Sequence, residues 1–133
     1  MKLDYGFLTA LNTTKVAEAG DMGRARWRLL SDLAYNSRTR GLIVVDAGFE
    51  TDFASVPRMP LTYWIAGDTA HASAVVHDYL CRQLYPVRSI TWQQAADVFL
   101  EAMKDEGVPL WRRTLMYWAV AGANPENKWS DQS

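Results

Sequence analysis

Two short segments hold most of the side chains in this sequence that could do chemistry. They are Gly48-Phe49-Glu50-Thr51-Asp52-Phe53-Ala54-Ser55-Val56-Pro57-Arg58 and Val76-His77-Asp78-Tyr79-Leu80. Both set carboxylates, hydroxyls, guanidinium or imidazole among apolar residues. Polar groups that close to a core have to be hydrogen-bonded, ion-paired, metal-bound or reactive. Three chemistries fit the residue types. His77 with Asp52, and Asp78 or Asp97, is a mixed nitrogen and oxygen set suited to Zn²⁺, Mn²⁺ or Fe²⁺. The cofactor of such a site would be a divalent metal, although no His-x3-His spacing supports it. Ser55 could act as a nucleophile with His77 as its base and an aspartate to orient the ring. Against that, Ser55 precedes Val56-Pro57, which imposes extended backbone, and it lacks a Gly-x-Ser-x-Gly elbow. Asp52 and His77 could instead run metal-free acid-base chemistry on a saccharide or peptide.

The plain structural reading stands beside these. Asp52 would accept backbone N–H bonds that pin an irregular loop. Arg58 would bridge that loop to the helices, and His77 would be a hydrogen-bonded histidine at the core boundary. Asp78, Asp97 and His71 would be ordinary solvated positions. Cys81, whose one basic neighbour in sequence is Arg82, reads as inert packing.

The elements that must position these residues divide the chain into a strand-rich first half and a helical second half. Trp27, Leu29, Ser31, Leu33 and Tyr35 sit at every second position, interleaved with Arg26, Arg28, Leu30 and Asp32, the pattern of an alternating, half-buried strand. Asn36 to Gly41 reads as a turn and Leu42 to Val45 as the next strand, the two forming a hairpin. Tyr5 to Thr13 is a weaker strand candidate, with a loop over Lys15 to Gly23. Three helices follow. The first spans about Asp68 to Leu84. On it His77 lies about 100° from Val76, at the edge of the apolar stripe, and Asp78 about 200° away. The second opens on a Thr91/Gln94 capping box, with Ile90 stapled to Ala95, and stops at Gly107. Its stripe is Trp92, Ala95, Ala96, Phe99 and Met103, with Asp97 off it and able to border a cleft under the Asp52–Arg58 loop. The third starts near Pro109 and runs to about Gly122, with Trp111, Leu115 and Trp118 facing inward. Met116, Tyr117 and Val120 make it apolar on other sides too, so it is either central to the core or meets a partner. Strands followed by helices predict an α+β fold, a small antiparallel sheet packed against about three helices. One domain over 1–133 is expected: 1–58 strand-rich, 68–122 helical and 123–133 a tail.

Hydrophobic content of 49% and charged content of 22% place the chain among globular proteins and not disordered ones. Fourteen Lys and Arg against fifteen Asp and Glu leave no global field for nucleic acid or an anionic membrane. One cysteine excludes an intrachain disulfide. The first residues lack the apolar stretch of a signal peptide, and the longest apolar run, Leu115 to Ala123, is too short to span a membrane. Six tryptophans are unusual for this length, and Trp92, Trp111, Trp118 and Trp129 crowd into the last third. They suit a packed core or an interface.

Thr51 to Arg58, His77-Asp78-Tyr79-Leu80, Ala96-Asp97-Val98-Phe99 with Ala102-Met103, and Arg113 to Tyr117 together resemble a family of small bacteriophage and prophage proteins. The family is catalogued as domain-of-unknown-function family 1353. Cys81 stands where an aromatic often follows the His-Asp-Tyr-Leu pattern. The resemblance implies a phage or prophage origin, and so residence in the host cytoplasm or the virion, but it brings no mechanism. It gathers Asp52, Ser55, Arg58, His77, Asp78 and Asp97 as a candidate site, because these are the polar residues inside the matching motifs.

Two classes of function follow. In the first, a hydrolase-like protein places Asp52, Ser55, His77 and Asp97 around a cleft, with Asp52, His77 and Asp97 as ligands to any metal. Arg58, Asp78 and Tyr79 would bind substrate, and cell-wall material would be the target. In the second, a virion- or lysis-associated binding module, or a host-directed inhibitor, uses a tryptophan-rich helical surface on a phage structural or host protein. The first requires the Asp and His side chains to converge at a pocket. The second requires an exposed apolar patch near Trp111, Trp118 or Trp129.

Overall fold

The computed structural model describes residues 4–17, 26–51 and 71–122, so Asp52, Ser55, Arg58 and Trp129 lie outside the described residues. Within them, Gly6–Phe7 (β1), Thr13–Ala17 (β2), Arg26–Leu29 (β3), Leu33–Ser37 (β4), Gly41–Val45 (β5) and Glu50–Thr51 (β6) form two three-stranded antiparallel sheets. Their orders are β1-β4-β5 and β2-β3-β6. The expected hairpin is present: Leu33 pairs with Val45 and Ser37 with Gly41. Gly41, at φ 76°, takes the left-handed conformation that closes its turn.

The single strand expected from Trp27 to Tyr35 is instead two strands, and they belong to different sheets. The break falls at Leu30-Ser31-Asp32. There Asp32 Oδ1 accepts the Ala47 amide at 2.7 Å, and the Asp32 carbonyl accepts the Thr9 hydroxyl at 3.1 Å. Local side-chain bonds of this kind compete with a sheet ladder. The loop expected to begin at Lys15 is also corrected. Thr13, Thr14 and Val16 are β-branched, and their segment pairs with β3 through a register shift between Lys15 and Ala17.

The helices are His71–Tyr79 (α1), Trp92–Glu106 (α2) and Leu110–Gly122 (α3), and α1 runs on into a π-helical turn over Leu80–Leu84. Helix α2 starts as its sequence dictates. Thr91 Oγ1 accepts the Gln94 amide and Gln94 Oε1 accepts the Thr91 amide, each at 3.0 Å. It ends at Gly107, whose φ of 90° few other residues adopt. Ile90 and Ala95 are both buried in the same cluster, as the staple requires.

Leu29, Leu33, Tyr35, Val45, Val75 and Leu80 belong to a core between strands and α1, to which α2 adds Ala95, Val98 and Ala102. A second core joins Ala74 of α1 and Ala96, Phe99 and Met103 of α2 to Val108, Met116 and Val120. Helix α3 is therefore an outer layer lying on α2. Its inward stripe is Arg112, Met116 and Val120, four residues apart. The expectation that Trp111, Leu115 and Trp118 face inward is overturned. They lie on the opposite side, 48%, 43% and 67% exposed, beside Leu110 at 66%. Size misleads here, because the stripe that fits against α2 is the one with flexible and β-branched residues.

Helix α1 is held at its start by a carboxylate from another helix. Glu106, the last residue of α2, accepts the Ala72 amide at 3.1 Å, the Ser73 amide at 3.0 Å and the Ser73 hydroxyl at 2.5 Å. Two of the donors that a helix N-terminus leaves without intrahelical partners are thereby satisfied from outside. Glu106→Ala should cost about 1–2 kcal/mol in urea unfolding, against about 1 kcal/mol for Thr91→Ala at the α2 cap. A Glu106→Ala midpoint equal to wild type would show that water replaces the cap.

Candidate functional site

His77 and Asp78 are neighbours on α1 that point to different surroundings. His77 is 3% exposed, deeper than the stripe-edge position expected of it. Its ring lies 4.9 Å from Phe99, centroid to centroid, and 6.2 Å from Trp92 in an edge contact. Cys81, one turn on, places Sγ 3.5 Å from Nε2. Burial pushes the imidazole pKa down to about 4 and the thiol up to about 12. Both groups are neutral at pH 7. An activated cysteine-histidine pair needs the reverse, a thiolate beside an imidazolium. The pair is therefore a contact at the edge of the core, with neither partner activated by the other.

Asp78 faces β6. It accepts the Thr51 hydroxyl at 2.7 Å, and Arg82 donates to it from Nε at 3.1 Å and from Nη2 at 2.5 Å. Arg82 also donates to the Glu50 carbonyl and stacks on Phe49, with Cζ 4.7 Å from the ring centroid. The π-helical turn carries Arg82 in this position. The first motif thus meets the second through a clasp whose acceptors are already occupied. Tyr79 makes an edge contact with Phe49 at 6.0 Å and lines a cavity of about 160 Å³ with Arg40, Leu42, Ile43, Val44, Leu80 and Leu84.

Asp97 is on the other side of α2 from these contacts. It is exposed, and its Oδ1 accepts Gln93 Nε2 at 2.9 Å and the Tyr117 hydroxyl at 3.0 Å. Burial, and next the Asp97 carboxylate, raise the Tyr117 pKa. Asp97 borders an open cleft of about 400 Å³ with Arg38, Leu100, Glu101, Lys104 and Asp105. Among the described residues, the contacts of His77 with Phe99, Trp92 and Cys81 are separate from those of Asp97 with Gln93 and Tyr117. Among the described residues no three His, Cys, Asp or Glu side chains group as they would to hold a metal.

Sequence reasoning missed the densest polar cluster. Tyr35 donates to Asp105 at 2.7 Å and Ser37 to Glu101 at 2.6 Å. Arg38 reaches both acids from Nη1, at 3.1 and 3.2 Å, and its backbone amide meets Glu101 at 2.8 Å. Burial, then the hydrogen bond to Asp105, drives the Tyr35 pKa far above its ordinary value. One signal was available: Glu101 and Asp105 are like charges four apart on one helix, which need cations from elsewhere. Every acid here is paired, so the cluster fastens the end of β4 to α2.

A family model described as "Protein of unknown function (DUF1353)" matches residues 27–120. The chain is also 32% identical over 108 residues to "Uncharacterized protein y4jT" of Sinorhizobium fredii (strain NBRC 101917 / NGR234). That match covers 77% of this chain and 30% of the relative, so the chain spans under a third of that protein's length. No solved structure matches the chain. No helix among the described residues is long and apolar enough to cross a membrane.

The state of His77 sets a pH dependence. Its folded pKa, about 4, lies below the ordinary 6.5, so the unfolded chain takes up the proton first. Stability is therefore full above about pH 6.5 and declines towards pH 4, by about 3 kcal/mol in all. Glu106, raised mainly by burial, works in the opposite sense, because its contribution is full below the unfolded value and falls as pH rises. A fall in the urea midpoint between pH 7 and pH 5 is then the mark of His77. It should be largely absent in His77→Phe, and an equal fall in that variant would assign the effect elsewhere.

Proposed function

Because the chain belongs to the DUF1353 family, whose description assigns no activity, we propose from its geometry that it is a non-enzymatic binding module. Its recognition surface is the outer face of α3. The observation that carries this is the exposure of Leu110, Trp111, Leu115 and Trp118 on one side of a helix whose other side is fully engaged. Large aromatics cost free energy in water and are the residues that most often anchor interfaces. The face carries no charge, so it fits an apolar protein surface and not a polyanion. A phage or prophage origin, supported by the motif resemblance, would put the partner among phage structural or host proteins.

A hydrolase-like site is the second reading, with Asp52, Ser55, His77 and Asp97 in catalysis and Arg58, Asp78 and Tyr79 on the substrate. One observation favours it: Asp97 borders a cleft large enough for a small ligand. It is the weaker reading, because the ring of His77 is sealed against Phe99 and neutral, and the Asp78 carboxylate is held by Thr51 and Arg82.

Trp118→p-benzoylphenylalanine, expressed in the source cell and irradiated, should give a discrete cross-linked protein adduct. The same residue at Leu42, exposed on β5, should give none. Absence of any adduct from position 118 would sink the binding reading.

A further inference from the structure

We propose that the open cleft along α2 is a site for a small zwitterion, a free amino acid or a dipeptide with an apolar side chain. The site stands apart from the α3 face and does not rest on it. The cleft measures about 400 Å³ and is lined by Arg38, Asp97, Leu100, Glu101, Lys104 and Asp105. That volume falls within the range of small-ligand sites, roughly 300–1,000 Å³.

Charge selects the ligand. Three carboxylates and two cations line the cleft, and most of that charge is already matched within the protein. Glu101 accepts the Ser37 hydroxyl, the Arg38 amide and Arg38 Nη1. Asp105 accepts the Tyr35 hydroxyl and Arg38 Nη1. Asp97 differs, because both of its donors, Gln93 and Tyr117, bond to Oδ1. Among the described residues, neither Asp97 Oδ2 nor Lys104 Nζ has a hydrogen-bond or ion-pair partner. One negative and one positive pole are therefore left for a ligand. A polyanion would meet the carboxylates, and a polycation would meet Arg38 and Lys104.

Helix geometry sets the length. Asp97 and Lys104 are seven positions apart, about 20° short of two full turns, so they share a face with a rise of about 10.5 Å between them. Side chains on a helix pair at three or four residues and not at seven, which keeps these two from neutralising each other. Leu100 lies between them, half-buried and packed on the second core. The floor of the cleft thus reads acid, apolar, base. A hydrogen bond of about 2.8 Å at each end leaves about 5 Å between the charges of the ligand. One extended residue spans about 3.5 Å and two about 7 Å. The flexible lysine, leaning back towards Leu100, takes up the difference in either case. The ammonium group goes to Asp97 Oδ2, the carboxylate to Lys104 Nζ, and the apolar side chain onto Leu100.

Titration of the nitrogen-15-labelled chain with leucine and with glycyl-leucine, followed by amide chemical shifts, tests this. Saturable shifts should appear at Asp97, Leu100 and Lys104, with half-saturation at roughly millimolar concentration. N-acetylleucine, which lacks the ammonium, and leucinamide, which lacks the carboxylate, should each bind at least about 3-fold more weakly. Lys104→Gln should weaken leucine by the same factor and leave leucinamide unchanged. Asp97→Asn should weaken leucine and leave N-acetylleucine unchanged. That crossed pattern assigns each pole, and a general disturbance of the helix would not produce it. If either variant loses its far-UV circular dichroism, leucine against its two blocked forms on the wild-type chain decides. Saturation by leucine alone identifies a free amino acid, and saturation by glycyl-leucine alone a dipeptide. No saturable shift at these residues with either compound at about 50 mM overturns the site, as does equal binding of all four compounds.

Discussion

The helix Trp92–Glu106 has apolar neighbours on two sides, and that constraint organises the rest of the structure. One flank, with Ala95, Val98 and Ala102, meets the strands and α1, and the other, with Ala96, Phe99 and Met103, meets α1 and α3. Charged residues are left with a narrow strip. Glu101 and Asp105 use it to seize Ser37, Arg38 and Tyr35, and Glu106 turns inward to hold the start of α1. Two of these carboxylates join the strand half to the helical half, and the third, Glu106, ties helix to helix. Burial raises the pKa of the deepest of them, Glu106, yet it stays bound by three donors. Carboxylates in this role are paid for by hydrogen bonds made to them, not by solvent.

The same constraint explains which sequence signals were legible. Capping depends on neighbours in the chain, so Thr91, Gln94 and Gly107 could be read without knowing the fold. The Leu33–Val45 hairpin is local too, with its turn and both strands in one stretch. The break at Asp32 was illegible because it depends on Thr9 and Ala47, and alternation continued through the gap. Helix α3 misled for a different reason. Both of its sides are apolar, so periodicity does not say which side is inside. The inside is set by the facing surface of α2.

The candidate site was legible in composition and illegible in direction. Thr51 and Asp78 do meet, so the two motifs are neighbours as their crowding suggested. His77 and Asp78 diverge because adjacent helix positions project about 100° apart. That separation sends one into the aromatic layer with Phe99 and Trp92 and the other to the edge of β6. Asp97 was correctly placed off the stripe. Its cleft is lined by α2 and by Arg38, the residue after β4, whereas sequence reasoning looked to the Asp52–Arg58 loop for a cover.

Burial makes the chain's lone sulfhydryl a slow one. Its pKa is pushed up to about 12, so it reacts through a small thiolate fraction while the helix is closed. Cys81 is only partly buried, so an alkylating reagent reaches it in place and reaches it faster when α1 and its π-helical turn open. Labelling in excess of the closed-state rate is then, without any engineered probe, a reporter of how often the junction of the two motifs breathes.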